Sequence, residues 1–143
     1  MNRRRSSFLE KALTTLRFRV TDSTVSTALL TRFRQLTSLS ISEIRSRVIA
    51  GDPVFEITPF QSDWQDQRRI LVQVARDISG GLLPLTVTEQ FASREEPVSI
   101  EMLHNLIKHF RQIELETQRD TMLENGEIVA PSEFTTFDED WTQ

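Results

Sequence analysis

The chain has 143 residues, 38% of them apolar and 27% charged, enough for one domain with a single core and too apolar for a disordered chain. It contains no cysteine, no tyrosine and two histidines, which excludes disulfides, thiolate metal sites and a cysteine nucleophile and leaves little for acid–base chemistry. The net charge of −4 is polarised: residues 1–50 carry +7, residues 51–100 carry −4 and residues 101–143 carry −7, and fifteen of the seventeen basic residues are arginine, which suits bidentate contacts with carboxylate or phosphate.

Arg3, Arg4 and Arg5 precede Ser6, Ser7, Phe8 and Leu9, but Glu10, Lys11, Arg17 and Arg19 interrupt any apolar run that a leader or membrane span requires. A soluble, cytoplasmic protein with a basic start is expected. Residues 6–14 suggest a short amphipathic helix, with Phe8, Leu9, Ala12 and Leu13 on one side. Leu16 to Val20 alternates as a half-buried strand. Asp22 or Ser23 is placed to cap a helix bearing Val25, Ala28, Leu29, Phe33 and Leu36 at helical spacing. Ser40 and Glu43 form a capping box, stapled by Leu39, for a helix with Ile41, Ile44 and Val48 inward and Gly51 as its stop.

Val54 to Thr58 reads as a second strand, ended or placed at an edge by Pro59. Ser62 or Asp63 then caps a helix striped by Trp64, Ile70, Leu71, Val74 and Ile78, and Gly80-Gly81 ends it. Leu82 to Glu89 reads as a third strand with Leu83, Leu85 and Val87 inward, followed by a polar connection over 90–98. Pro97 and Ser99 open a long helix with Ile100, Leu103, Leu106, Ile107, Phe110 and Ile113 as its stripe, ended by Asn125-Gly126. That stripe predicts packing on its own domain, a dimer seam being the alternative.

The expected fold is therefore α+β: β-α-α-β-α-β with a small three-stranded sheet covered by helices on one face, plus a long C-terminal helix and acidic tail. Residues 1–126 are expected to form a single domain, with 1–15 as its basic N-terminal segment, and 127–143 the tail, either docked or disordered. Arg17 and Arg19 should lie on the open sheet face, beside Glu56 or Glu89.

Residues 16–89 resemble, in element order, the C-terminal domain of the bacterial ribosomal stalk protein. The stretch that carries the resemblance is Arg34-Gln35-Leu36-Thr37-Ser38-Leu39-Ser40-Ile41-Ser42-Glu43-Ile44-Arg45-Ser46-Arg47-Val48, similar to that family's basic and aliphatic helix-turn-helix. The resemblance implies a fold and a habit of binding proteins through the helix pair. Leu30, Arg34 and Arg45 fall where the family's recruiting face has an aliphatic and two basic residues, and Arg47 adds a third cation. Ser26 and Thr31 fall where it has lysines, and its dimerisation segment and hinge are missing. The overall profile also resembles small bacterial toxin-immunity proteins of the contact-dependent inhibition type, which are compact, cysteine-poor, acidic and without catalytic groups.

No chemistry-bearing motif emerges. Glu101 and His104 share a helix face but lack the second copy that a dimetal site needs, and His104 and His109 lie about 140° apart around a helix. Gly80-Gly81 lacks the spacing of a phosphate loop. Arg17-Phe18-Arg19 and Arg32-Phe33-Arg34 interleave rings and cations as a nucleic-acid reader does, but each phenylalanine is on the apolar phase of its element. No catalytic residue, metal ligand or cofactor is expected, and no nucleic-acid or membrane partner.

The expected function is a non-enzymatic inhibitor: an immunity protein, monomeric before binding, that neutralises a cognate toxin. Its partner surface would use Asp63, Asp66, Glu95, Glu96, Asp138, Glu139 and Asp140 as phosphate-like carboxylates and Trp64 and Trp141 as anchors. The alternative is an adaptor that binds a translation factor or other housekeeping protein through Leu30, Arg34, Arg45 and Arg47.

Overall fold

The computed structural model describes residues 14–21 and 25–143. Its element order is β1 (Thr15–Val20), α1 (Thr27–Leu36), α2 (Ile41–Ala50), β2 (Phe55–Ile57), α3 (Trp64–Ser79), β3 (Leu85–Phe91), β4 (Arg94–Val98) and α4 (Ile100–Glu124), then a single 3-10 turn at Pro131–Glu133. The α+β class stands. The expected three-stranded sheet is corrected to four antiparallel strands in the order β2-β1-β3-β4.

The fourth strand lies where a polar connection was expected. Only Val98 of β4 is buried; the rest of the strand is exposed, so it carries no apolar alternation to read. Cross-strand pairing to β3 defines it instead, with Val87 opposite Val98 and Phe91 opposite Arg94 around an Ala92-Ser93 turn in which Ala92 has φ +53°. Pro97 belongs to this edge strand, opposite Thr88, and does not open a helix; an edge position tolerates its missing N–H.

Helix starts follow hydroxyl caps. Ser26, Ser40 and Ser99 each have extended backbone, and each side chain accepts an N–H three residues on, from Leu29, Glu43 and Met102 respectively. Thus α1 is capped by Ser26 rather than by Asp22 or Ser23, which lie outside the described residues, and Ala28 is exposed. The helix expected over 6–14 lies outside them too, except for its last residue, Thr14, which is non-helical. Asp63 precedes α3, but its φ of −97° and ψ of 15° depart from the extended capping conformation and its carboxylate makes no capping bond. Gly51 closes α2 with φ +74°, a conformation that disfavours any side chain.

The third strand starts three residues later than expected. The Leu82 and Leu83 N–H groups both return to the Asp77 carbonyl, at 2.8 and 3.2 Å, and so belong to the end of α3. Leu83, Leu85 and Val87 are buried as their alternation predicts.

Leu16, Phe18, Phe55, Ile57, Leu85 and Val87 face a core completed by Leu30, Phe33, Ile44, Leu71, Val74, Leu103, Ile107 and Phe110. Phe18 and Phe55 stack with ring centroids 4.4 Å apart. Leu103, Ile107, Phe110 and Ile113 of α4 are all buried within the chain, so its stripe packs on its own domain. The other sheet face carries Arg17, Arg19, Glu56, Thr88 and Glu95. Arg17 Nε lies 3.1 Å from Glu56, and both arginines meet Glu95 of β4. Glu89 lies opposite Leu16 and therefore on the other phase, so Glu95 takes the place expected of it.

Candidate protein-binding surfaces

The C-terminal segment is docked. Trp64 and Arg68 lie one turn apart on α3; Arg111 and Glu114 lie one turn apart on α4. Between them Glu114 accepts four donors. Its Oε2 takes Trp64 Nε1 and Arg68, both at 2.7 Å, and its Oε1 takes Trp141 Nε1 at 2.6 Å and Arg111 at 3.0 Å. Arg111 reaches both oxygens of Asp138 at 3.1 Å, and Gln118 donates to that carboxylate at 3.0 Å. The Thr136 hydroxyl lies 2.6 Å from the same group. The Trp141 ring meets Trp64 edge to face at 5.6 Å and stacks under the Arg68 guanidinium.

The charges tune one another. Burial acts to raise the Asp138 pKa, but hydrogen bonds from Arg111, Thr136 and Gln118, with the Arg111 charge, outweigh it and hold the group well below the usual carboxylate range. Burial likewise acts to lower the Arg111 pKa, and the bonds to Asp138 and Glu114 raise it. Asp140 is lowered by the Thr142 hydroxyl and then by its N–H, 2.6 and 2.9 Å away.

These contacts redistribute the residues expected to bind a partner. Trp64 is only 7% exposed and Trp141 is half-buried, so the two expected anchors hold the tail to the protein's own helices. Asp138 belongs to the same clamp. Asp63, Asp66, Glu139 and Asp140 remain exposed. Glu95 is ion-paired on the outer sheet face and Glu96 pairs with Arg94 at 3.1 Å on β4, so these two belong to the sheet rather than to the tail. On the helix pair, Leu30 is 2% exposed and lies in the core, not on a recruiting face. Arg34 and Arg45 are exposed and make no ion pair among the described residues, whereas Arg47 is half-buried and donates to the Pro53 carbonyl at 3.3 Å.

Sequence reasoning missed two groups of residues. The exposed apolar side chains include Phe137 (78%), Val129 and, on α2, Ile49 (83%); Phe137 is a lone apolar residue in a polar segment, and Ile49 and Val129 each adjoin a more buried apolar neighbour, so none carries a periodic signal of its own. The clamp residues do carry one. Arg68 stands four residues after Trp64 and Arg111 four after Ile107, in phase with the apolar stripes, and a charge on a buried phase requires a partner.

Among the described residues, no group of three or more His, Asp or Glu is placed to hold a metal ion, and no helix is long and apolar enough to cross a membrane. No protein-family model, curated protein or solved structure matches this chain.

Proposed function

We propose that this protein is a non-enzymatic inhibitor, an immunity protein of the cytoplasm that silences a cognate toxin by binding it through the outer side of its docked tail. The observation that carries the reading is Phe137, a large apolar side chain 78% exposed beside a carboxylate that Arg111 fixes. Glu139 and Asp140 follow it, both exposed. Docking has already ordered this segment, which lowers the entropy cost of binding, and exposed carboxylates steer a basic partner toward an aromatic anchor. Phe137 takes the anchor role in place of Trp64 and Trp141.

A second reading has its own support. Ile49 stands four residues after Arg45 on α2, an exposed apolar residue beside an unpaired cation. That pairing suits an adaptor that recruits a translation factor or another housekeeping protein, with Arg34 and Arg45 as its charges.

Capture of partners by tagged full-length protein at moderate salt separates the two. The inhibitor reading expects one stoichiometric partner whose toxic activity is silenced on binding and which is lost by F137A/E139K. Retention of that partner by F137A/E139K and its loss by R34E/R45E would transfer the function to the helix pair.

A further inference from the structure

The groove between α3 and α4 runs alongside the end of the docked tail. One cavity of about 450 Å³ is lined by Arg68, Arg69, Arg76 and the tail residues Asp138 to Trp141. A second, of about 360 Å³, is lined by Val72, Ala75, Arg76, His104, Ile107 and Lys108, with Thr142 of the tail at its edge. Val72 and Arg76 line both, so the two form one trough. Its floor is apolar, with Val72, Ala75 and Ile107 all buried. Arg69, Arg76 and Lys108 on its rim are exposed and make no ion pair among the described residues; Glu139 and Asp140 share the first cavity with Arg69, whereas Arg76 and Lys108 border the second with no carboxylate in its lining. Arg68 adds to the wall a buried Nε with no acceptor among them.

The tail end of the trough shows what chemistry it accepts. There Asp138 lies 3.6 Å from the Arg68 guanidinium, and the Trp141 ring packs beneath the same guanidinium. The distal half repeats the same elements, cations over an apolar floor. We propose that the distal half of this trough, around Arg76 and Lys108, binds an acidic peptide segment of a second protein, with its carboxylates on the cations and an apolar side chain on Val72, Ala75 and Ile107. A bare phosphate chain leaves that floor unfilled, and an elongated trough between two helices fits an extended segment better than a bilayer surface. The site is separate from the exposed Phe137 and independent of the inhibitor reading.

The test uses the full chain and a fluorescein-labelled eight-residue peptide that alternates glutamate and leucine, followed by anisotropy in 0.1 M salt. Saturable binding is expected, weakened at least about ten-fold by R76E/K108E and unchanged by F137A or R34E/R45E. R76A/K108A supplies a milder variant should charge reversal unfold the protein, and is expected to lose affinity in the same direction. Absence of saturable binding at millimolar protein, or binding indifferent to both Arg76/Lys108 variants, would overturn the proposal. So would capture of a single-stranded oligonucleotide or of phosphatidylglycerol vesicles through Arg76 and Lys108 when the peptide does not bind.

Discussion

Two arginine–carboxylate networks in this molecule use the same residue types and differ in what surrounds them. On the outer sheet face, Arg17 and Arg19 share Glu95, with side chains 30% and 27% exposed. Beneath the tail, Arg68 and Arg111 share Glu114, with side chains 11% and 7% exposed. Water competes for the first set of charges and is excluded from much of the second. An exposed ion pair contributes about 0.2–1 kcal/mol, whereas removing one member of a buried set leaves its partners charged, desolvated and unsatisfied. The tail is therefore held by a network in which loss of one group affects all the others.

The sharpest way to break that contrast is Glu114→Ala. It removes the one acceptor of the Trp64 and Trp141 indole N–H groups and the closest carboxylate to Arg68, leaving Asp138 to meet both Arg111, at 3.1 Å, and Arg68, at 3.6 Å. A loss of about 3–5 kcal/mol is expected in urea unfolding at pH 7. Glu114→Gln should lose less, because one oxygen remains to accept. A loss below about 1 kcal/mol for Glu114→Ala would show that the clamp is no stronger than a surface pair.

Trp141→Ala comes next. It removes a half-buried indole, its bond to Glu114 and its ring contact with Trp64, but leaves the core cluster around Phe18 and Phe110 in place. A destabilisation of about 2 kcal/mol is expected, roughly half that of a fully buried tryptophan. Amide hydrogen exchange should accelerate in residues 136–143 and stay unchanged in β1 and β3. Acceleration throughout the sheet would mean that the tail is part of the cooperative core.

Acid tests the same clamp without mutation. The Asp138 carboxyl is lowered on folding, so its contribution is fully present above the unfolded value near 4 and is lost as pH falls toward the folded value. Stability attributable to Asp138 should therefore be level between pH 5 and 7 and decline below about pH 4. Asp138→Asn should flatten that acid limb and lower stability at pH 7. An acid limb unchanged by the substitution would place the titrating group elsewhere.

Much of the fold was legible because it rests on local signals. Ser40, Ser99, Gly51 and Gly81 mark helix ends through backbone chemistry that a few residues determine, and Leu16, Phe18, Leu85 and Val87 alternate as a one-faced sheet requires. β4 was not legible, because Arg94, Glu95, Glu96 and Pro97 form a strand only by pairing with β3. The burial of the two expected anchors was not legible for a related reason. Trp64 and Trp141 stand 77 positions apart, and only the packing of α3 against α4 brings both to Glu114. The tail's acidity suggested solvent; one carboxylate, Asp138, is instead drawn onto Arg111, and Phe137 is left outside.

The smallest expected effect completes the contrast. Glu95 accepts from the Thr88 hydroxyl at 2.6 Å and from Arg19, and these bonds lower its pKa against the opposing effect of burial. Yet Glu95→Ala leaves Arg17 beside Glu56 and gives Arg19 access to water and to the Gly51 carbonyl at 3.2 Å. A loss of no more than about 1 kcal/mol is expected, shrinking further in 1 M salt, where the screening length falls to about 3 Å. The Glu114→Ala loss should persist at that salt, because ions do not reach the desolvated guanidinium groups beneath the tail. Equal salt sensitivity of the two variants would mean that the tail clamp is open to solvent, and the energetic distinction between the two networks would fail.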